Sequence, residues 1–396
     1  MSKIFAVNAG SSSLKFKLFQ MPEEKVLTDG VVERIGMDDG IFTIRVKGEK
    51  VTTHLPVKDH QQAVDLLLEA LVQHNIVEDL EEINACGHRV LHGGEKYADS
   101  AIVTPEVLQD ILDMKDLGPL HMPANYTGIE AFSKALPKIK HVAVYDTSFH
   151  LTMDKATFLY ALPLEYYEKY HVRRYGFHGT SHKYIAQTYA EITGNENQNI
   201  ISLHLGNGAS LCAIKNGKCI NTSMGFTPLA GIMMGGRSGD IDPSIIPYLK
   251  EKTGLTGEEI IEVANKKSGF LGISGVSSDA RDIQKAVEEG NPRAILAREM
   301  YALRVIDYIG SYFVQLGSLD AMVFTAGLGE NDVRVRKEIC ELLEESLGVK
   351  LDQELNAKTQ GKLAKISAPD SKVDVWVIPT DEEVMIARDT RRLLNL

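Results

Sequence analysis

Short runs of alternating apolar and polar residues predict β-strands at the start of the chain. Residues 3–8 and 14–19 read as two neighbouring strands, with Leu14, Phe16 and Leu18 on one face and Lys15 and Lys17 on the other. Three further segments carry strand patterns, at residues 30–34, 41–46 and 141–145. Helical periodicity follows at residues 60–72, 105–114 and 124–136. The first half of the chain therefore predicts strands mixed with helices.

The second half repeats this scheme. Strand patterns occupy residues 199–205, 211–214, 218–221, 321–325 and 373–378. Helices are predicted from about residue 181 to Gly194, over residues 292–316, and at the C-terminus after Thr380. Because strands and helices alternate in both halves, the pattern predicts an α/β fold built from one structural unit used twice.

Two turns rich in glycine and serine support the duplication. Residues 8–15 read NAGSSSLK and residues 204–211 read HLGNGASL, and each follows an apolar strand-like run. Ser13 and Ser210 are separated by almost half of the 396 residues. Small residues let backbone N–H groups converge on a phosphate, although either turn alone could be an ordinary connection between strands. Neither segment fits the Walker or Rossmann glycine patterns, so the pair predicts a different kind of nucleotide site.

Length, composition and charge limit the possible functions. The 396 residues suit two domains, and 44% hydrophobic with 24% charged residues is ordinary for a globular protein. The net charge of −11 argues against nucleic acid or an anionic membrane as a partner. The N-terminal apolar run at residues 4–7 is too short for a signal peptide, and no stretch approaches a membrane span. We expect a cytoplasmic protein.

The cysteines give no sign of a structural metal or a disulfide. They show no C-x-x-C spacing, which argues against zinc ribbons and redox pairs, and they stand at Cys86, Cys212, Cys219 and Cys340. A hairpin at Asn216-Gly217 would pair Ile214 with Cys219 and leave Cys212 farther along the strand.

Two arginines and a histidine are candidates for binding an anionic group. Arg89 and Arg237 each stand among glycines, where the backbone can approach a ligand, and the planar guanidinium suits a carboxylate or phosphate. His178 directly precedes a predicted helix, and this position favours the neutral imidazole. Taken singly, each could instead be a solvated arginine in a turn or a structural histidine.

Oxygen-bearing side chains at strand ends are candidates for a metal site. Asn8, Asp146 and Glu382 fall at such ends, and Mg²⁺ bound with a nucleotide needs only one or two protein oxygens. Helix capping is the alternative around Asp381. The segment from Asp279 to Arg281 likewise has two possible roles: it could cap a helix or contact a nucleotide.

Together these motifs resemble the acetate kinase family. The matching segments span the chain in order, at residues 8–15, 89–94, 146–150, 175–182, 204–210, 225–243, 324–331 and 379–388. The resemblance implies the acetate and sugar kinase, Hsc70 and actin superfamily: a duplicated two-domain actin-like ATPase fold with a ribonuclease H-like core in each half and an interdomain nucleotide cleft. It assigns residues 1–149 with 384–396 to the N-terminal domain and residues 150–383 to the C-terminal domain. A homodimer is implied as well.

The resemblance also implies the reaction. This is a reversible, Mg²⁺-dependent phosphoryl transfer from ATP to acetate that gives acetyl phosphate and ADP, with Mn²⁺ as an alternative ion. A propionate or butyrate kinase is the nearest alternative. Two more distant ones are a sugar or polyol kinase, which would need a base and a polar pocket, and an actin-like or chaperone-like ATPase module, which would need a partner surface.

Site residues follow from the resemblance, position by position. The catalytic set is Asp146, His178 and Arg237, where Asp146 is expected to orient an arginine or a metal-bound water. Substrate binding falls to Arg89 and to an apolar methyl pocket of Leu91, Leu120, Phe177 and Pro228. Leu91 stands where valine is usual in the family, which leaves the acyl-chain preference open. The metal positions are Asn8 and Glu382. The nucleotide-binding positions are Lys15, His204, Leu205, Gly206, Asn207, Gly208, Asp279, Ala280, Arg281, Gly327, Leu328, Gly329, Glu330 and Asn331.

Overall fold

The computed structural model describes residues 1–119 and 121–396, and it divides the chain into two compact units. Unit 1 comprises Met1–Phe149 and Asp381–Leu396, and unit 2 comprises His150–Thr380. Residues 381–383, which the sequence analysis assigned to the second domain, lie in unit 1. They open a C-terminal helix, Glu382–Leu394, that packs on the sheet of unit 1.

Unit 1 is built around a mixed β-sheet. Its strands are β1 (Ser2–Ala9), β2 (Ser13–Met21), β3 (Lys25–Glu33), β4 (Ile41–Val46), β5 (Glu49–His54), β6 (Ile83–Val90), β7 (Ala101–Ile102) and β8 (Lys140–Tyr145). In the described residues the strand order is β5-β4-β3-β2-β1-β6-β8-β7. Strands β1 to β5 form antiparallel neighbours, whereas β6 runs parallel to both β1 and β8. The first glycine-rich turn joins β1 to β2.

Helices cover the sheet of unit 1. They are α1 (His60–Gln73), α2 (Pro105–Asp113), α3 (Met122–Ala135) and the C-terminal helix. Alternate residues of β1 and β2, such as Phe5 and Phe16, share a buried core with Leu67 of α1 and Phe132 of α3. The C-terminal helix lies against β1, β6 and β8. Gly87 permits its close approach, since a Cβ at that position would lie 2.6 Å from Ile386 Cγ2.

Unit 2 contains the second mixed sheet. Its strands are β9 (Asn199–Leu205), β10 (Ala209–Lys215), β11 (Lys218–Thr222), β12 (Ala321–Thr325), β13 (Ala364–Lys365) and β14 (Asp374–Val377). In the described residues their order is β11-β10-β9-β12-β14-β13. Strands β9, β10 and β11 are antiparallel neighbours, and β12 is parallel to both β9 and β14. The second glycine-rich turn joins β9 to β10.

The helices of unit 2 lie between and around these strands. They are α4 (Lys155–Phe158), α5 (Glu165–Tyr170), α6 (Gly179–Thr193), α7 (Ile245–Thr253), α8 (Gly257–Lys266), α9 (Gly269–Ser274), α10 (Ala280–Glu288), α11 (Pro292–Leu316), α12 (Ala326–Asn331), α13 (Val333–Leu347) and α14 (Gln353–Lys358). Two short 3₁₀ helices, Leu80–Glu82 and Met114–Leu117, belong to unit 1, and a third, Ser148–Thr152, crosses from unit 1 into unit 2. Helix α6 packs on β9, and α11 packs on β9 and β10.

The two sheets share one topology. The order β3-β2-β1-β6-β8 in unit 1 corresponds to β11-β10-β9-β12-β14 in unit 2. In both, three antiparallel strands are followed by two parallel ones, and the glycine-rich turn connects the first strand to the second. The α/β fold and the use of one unit twice, both predicted from the sequence, are confirmed.

Candidate active site

In unit 1, strand ends bring Arg89 and Asp146 together. Arg89 stands near the end of β6 and Asp146 directly follows β8, and the parallel register sets Arg89 beside Val144. The Arg89 guanidinium donates its Nε–H to Asp146 Oδ2 at 2.9 Å, and the Asp146 side chain is only 2% exposed. The attraction of this carboxylate raises the pKa of Arg89. A fixed, permanently positive guanidinium at this position can bind an anion.

Glu382 lies close to this pair at the first turn of the C-terminal helix. Burial raises its pKa to about 7, against the lowering effect of Arg89, and the negative charge of Asp146 adds to the rise. A partly buried carboxylate surrounded by like charges favours a bound cation. Asn8 supplies an amide oxygen at the end of β1. Hard oxygen donors of this kind fit Mg²⁺, which keeps its remaining positions for water and phosphate.

A cavity of about 190 Å³ in unit 1 is lined by several of the predicted residues. Asn8, Lys15, Arg89 and Leu91 contribute to it, so a predicted metal ligand, a lysine and the arginine predicted to bind substrate line the same cavity. Ala9, Gly10 and Ser13 of the first glycine-rich turn also line it, together with His121 and Asn125, which the sequence did not indicate.

Asn125 organises the wall of this cavity. Its Oδ1 accepts the Leu91 backbone N–H at 3.0 Å and its Nδ2 donates to the Ala9 carbonyl at 2.9 Å. It stands inside α3 without any motif around it, so the sequence offered no signal for this role.

A larger cavity of about 920 Å³ lies in unit 2. Its volume is in the range of sites that enclose small ligands. Most of the predicted nucleotide positions line it, namely Gly206, Asn207, Asp279, Ala280, Arg281, Gly327, Leu328 and Asn331. Residues that the sequence analysis missed also line it, including Gly235, Phe270, Ser278, Gln284, Arg334 and Gln360.

Gly235 shows why this cavity needs glycine at its edge. A Cβ there would lie 2.5 Å from the Ser278 carbonyl oxygen and closer still to the amide of Asn207. The Gly235 N–H also donates to the Asn207 carbonyl at 3.1 Å. The glycine therefore holds the second glycine-rich turn against the 278–281 segment.

The position of Asp279 is compatible with both roles that the sequence allowed, helix capping and contact with a nucleotide. It caps α10 by accepting the Arg281 backbone N–H at 2.9 Å, and it also lines the cavity. The hydrogen bond from the Arg281 side chain lowers the pKa of Asp279 to about 2.

Of the remaining predicted nucleotide residues, Lys15 lines the cavity of unit 1, and the others belong to unit 2 without lining its cavity. Leu205 is fully buried at the end of β9, and the Gly329 carbonyl accepts a hydrogen bond from Arg336 Nη1 at 2.9 Å. The Glu330 carboxylate accepts the Thr380 N–H at 3.1 Å. His204 and Gly208 border the group around His178.

His178, Arg237 and Gly208 meet in unit 2. A Cβ at Gly208 would lie 3.2 Å from Arg237 Nη1 and 3.7 Å from His178 Nε2. His178 occupies the N-cap of α6 with φ of 59°, and its ring stacks on His204 with centroids 4.0 Å apart. Two predicted transition-state groups therefore approach the same backbone position, where a phosphate oxygen could be held by both.

The predicted methyl pocket is divided between the two units. Leu91 lines the cavity of unit 1, whereas Phe177 and Pro228 belong to unit 2 and Leu120 lies outside the described residues. Phe177 is 2% exposed and its carbonyl accepts from His150 Nε2 at 2.9 Å. The four-residue pocket stays a prediction.

Over the part of the chain that the structure describes, no helix combines the length and apolarity that crossing a membrane requires.

A comparison with known families decides the relationship. The model of the acetokinase family matches residues 3–388. The chain belongs to the acetokinase family. An acetate kinase of Geobacillus sp. (strain WCH70) is 57% identical over 398 aligned residues and covers 100% of both chains. The acetate kinase of Bacillus subtilis (strain 168) is 56% identical over 395 residues, covering 99% of this chain and 100% of the relative.

Solved structures agree with this assignment. Acetate kinase from Porphyromonas gingivalis superposes with a TM-score of 0.96 at 46% identity, covering 100% of both chains. A propionate kinase from Francisella tularensis subsp. tularensis gives 0.93 at 38% identity, covering 99% of this chain and 100% of that one. The family resemblance and the fold class predicted from the sequence are confirmed.

Proposed function

We propose that the protein transfers the γ-phosphoryl group of ATP reversibly to the carboxylate of acetate, forming acetyl phosphate and ADP. The observation that carries this proposal is full-length identity of 56–57% with acetate kinases, together with the grouping of Arg89 with Asp146 and of His178 with Arg237. An acetate oxygen forms the new bond to the γ-phosphorus. The bond from that phosphorus to the β,γ-bridging oxygen breaks, and ADP leaves with the electron pair.

The acceptor needs orientation and not deprotonation. A carboxylic acid with a pKa of roughly 4 to 5 is ionised at pH 7, so the nucleophile is already formed. Arg89 binds the carboxylate, and Asp146 holds the guanidinium in one orientation through Nε and Nη2. Asp146 is therefore a positioning residue for Arg89, and no general base is required.

Charge stabilisation supplies the catalysis, as in other phosphoryl transfers. Arg237 and His178 donate hydrogen bonds to the equatorial oxygens of the transferred group. Their common approach to Gly208 supports this pairing. The cavity of about 920 Å³ in unit 2 binds the nucleoside, and its glycine-rich turn binds the phosphates.

The cation and the lysine act on the phosphates. The oxygens of Asn8 and Glu382 would hold Mg²⁺, which would supply positive charge against the phosphates of ATP. The raised pKa of Glu382 supports a cation at this position. Lys15, on the cavity of unit 1, adds a positive charge for a phosphate oxygen.

A propionate kinase is the second candidate, since one such enzyme is 38% identical to this chain. Acetate is favoured because the acetate kinases are more similar, at 56–57%. A homodimer and a cytoplasmic location are further proposals that rest on family likeness. Light scattering tests the dimer, which would have twice the 43.7 kDa mass of one chain.

Trapping of the acyl phosphate tests the activity. The enzyme is incubated with MgATP, hydroxylamine and one of acetate, propionate, butyrate or glycerol, while ADP is measured in parallel. We expect acetohydroxamate to form in step with ADP, and propionate to react less efficiently. Equal ADP release without a carboxylate, or faster phosphorylation of glycerol, would refute a carboxylate kinase. A higher kcat/KM with propionate would instead select the second candidate.

A further inference from the structure

A serine hydroxyl in unit 2 lies between two histidine rings. Ser210 Oγ is 2.9 Å from His178 Nδ1 and 2.8 Å from His182 Nε2. The other ring nitrogen of His182, Nδ1, is 2.9 Å from Ser202 Oγ. Ser202, Ser210 and His182 are fully buried, so these groups have no water with which to exchange partners.

The single proton of a hydroxyl couples the two rings. Burial lowers the pKa of His182 well below its ordinary value, so its ring is neutral and carries one N–H. When Ser210 accepts the N–H of His182 Nε2, its own proton is directed to His178 Nδ1. When it instead donates to His182, it must accept from His178. The tautomers of the two histidines are therefore linked: because Ser210 can donate to only one ring, at least one of His178 Nδ1 and His182 Nε2 must carry a proton.

The position of His178 Nε2 distinguishes the two choices. This atom lies on the side of the ring that faces Gly208, where Arg237 Nη1 also approaches. A proton on Nε2 would allow donation to an anionic oxygen held there. A bare Nε2 would present a lone pair to that oxygen and repel it. Of the two neutral tautomers, only the one with Nδ1 unprotonated can donate from Nε2 to an anion at this position.

We propose that Ser202, His182 and Ser210 are positioning residues that hold His178 as its Nε2–H tautomer for donation to the transferred phosphoryl group. The Ser202 hydroxyl donates to His182 Nδ1, His182 Nε2–H donates to Ser210 Oγ, and the Ser210 hydroxyl donates to His178 Nδ1. The part that concerns phosphoryl transfer rests on the proposed function. The tautomer itself does not depend on it.

Kinetics of buried-serine variants test the role in catalysis. Ser210→Ala removes the hydroxyl and should lower kcat by about 10- to 100-fold, the range found when a partner that orients a functional histidine is lost. The KM values for ATP and acetate should change by less than about threefold, and Ser210→Thr, which restores a hydroxyl, should recover most of kcat.

Ser223→Ala is the matched control. Its hydroxyl is also fully buried and accepts the N–H of Leu211, the residue next to Ser210. This variant should keep kcat within about twofold of the wild type. Equal losses in Ser210→Ala and Ser223→Ala, or no recovery in Ser210→Thr, would mean that Ser210 serves only packing.

Nuclear magnetic resonance of the full chain with ¹⁵N-labelled histidine reads the tautomer directly. Long-range ¹H–¹⁵N correlations distinguish a protonated Nε2 from a protonated Nδ1, and the spectrum of His178→Gln assigns the signals. The proposal predicts Nε2–H for His178 in the wild type and a shift toward a mixture in Ser210→Ala. An Nδ1–H signal in the wild type, or an unchanged spectrum in Ser210→Ala, would overturn it. This result is independent of turnover, so it separates failure of the tautomer proposal from failure of the proposed reaction.

Discussion

Arg237 is a partly buried guanidinium in unit 2 whose position has a direct kinetic consequence. Its Nη1 lies 3.4 Å from the Pro228 carbonyl and approaches Gly208 beside His178. A cation at this place opposes the negative charge that develops on the transferred phosphoryl group. In contrast, the cavity that is proposed to bind the nucleoside is lined by other residues. Arg237 should therefore matter more in the transition state than in ATP binding.

Replacing Arg237 with alanine should reduce kcat by about 10²- to 10³-fold, the usual loss for one preorganised donor. The KM for ATP should change little. Steady-state kinetics with MgATP and acetate measures both values, and Arg304→Ala, at an exposed arginine of α11, provides the control with unchanged kinetics. A variant with nearly normal kcat and weakened ATP binding would assign Arg237 to nucleotide positioning.

Leu91 is the residue that we expect to set acyl length. Its side chain lines the cavity of unit 1 beside Arg89, and a Cβ at Gly118 would lie 2.7 Å from Leu91 Cδ2, so the leucine is packed from behind. Leu91→Ala should raise kcat/KM for propionate relative to acetate. The change should correspond to about 1–3 kcal/mol, since that is the discrimination that one methylene provides. An unchanged ratio in competition assays would place the acyl group elsewhere.

At the level of helices and strands, the sequence predicted what depends on local pattern. The neighbouring strands β1 and β2 and the helices α2 and α11 were all predicted, because alternation and periodicity are local signals. Helix α12 was not predicted, since its six residues contain two glycines and begin at Ala326 with φ of 63°. The C-terminal helix was assigned to the N-terminal domain from residue 384, whereas the helix begins at Glu382 and the chain returns to unit 1 at Asp381.

The candidate site residues also divide into those that local sequence motifs indicate and those that only tertiary packing brings to the site. The charged residues in glycine-rich motifs were found, whereas Asn125 and Phe270 stand in ordinary helices and reach their cavities only through the packing of α3 and α9.

Arg336 stabilises α12 through a hydrogen bond to its backbone, and nothing in the sequence indicated this role. Its guanidinium is fully buried, and it donates to the carbonyl of Gly329 in α12, to the side chain and carbonyl of Asn356, and to the Thr359 carbonyl. Arg336→Met would leave these acceptors unsatisfied and should lower the free energy of unfolding by about 3 kcal/mol or more. Fluorescence of Trp376 during urea unfolding measures the loss in unit 2.

Lys337→Met is the control for this prediction, because the lysine lies on the same helix and is half exposed. It should change the free energy of unfolding by less than about 1 kcal/mol. Similar small losses in both variants would contradict the supporting role of Arg336.

His88 and His141 on neighbouring strands β6 and β8 should make folding sensitive to acid. Their ring nitrogens lie 3.0 Å apart, and burial lowers the pKa of His88 well below its ordinary value and that of His141 to about 4. Folded pKa values below the unfolded value of about 6.5 mean that the neutral rings stabilise the fold above pH 6.5. That stability is lost as the pH falls from 6.5 toward 4.

The variant His141→Gln should therefore lose less stability than the wild type between pH 7.5 and pH 5. The difference should reach about 2 kcal/mol, since one histidine contributes about 1.4 kcal/mol for each pH unit below its unfolded pKa. Urea unfolding followed by circular dichroism at each pH measures it. Parallel pH dependence in the two proteins would show that the pKa of His141 is the same in the folded and unfolded states.

On the scale of the whole molecule, the duplicated topology carries two different sets of ligand-binding residues. Unit 1 provides Arg89 and the smaller cavity, and unit 2 provides the larger cavity with its glycine-rich turn. The same strand order therefore gives rise to different chemistry, because the residues at the turns and strand ends differ. Acetyl phosphate and ADP should consequently bind to different parts of the chain.

Hydrogen–deuterium exchange tests this division of labour. ADP should protect residues 206–208, 279–281 and 327–331 of unit 2, while acetyl phosphate should protect the segment around Arg89 in unit 1. Bound ligand slows exchange by stabilising the closed backbone around it. Protection by ADP centred on residues 89–91 would require the nucleotide and acyl assignments to be exchanged.

Attack of a carboxylate oxygen on the γ-phosphorus of ATP can be followed with an oxygen isotope. The enzyme is supplied with MgATP and acetate labelled with ¹⁸O in both carboxyl positions, and the product is examined by ³¹P nuclear magnetic resonance. The account predicts acetyl phosphate whose phosphorus signal carries the isotope shift of one bound ¹⁸O. Phosphorus without that shift, or release of inorganic phosphate and ADP with no acetyl phosphate, would contradict it.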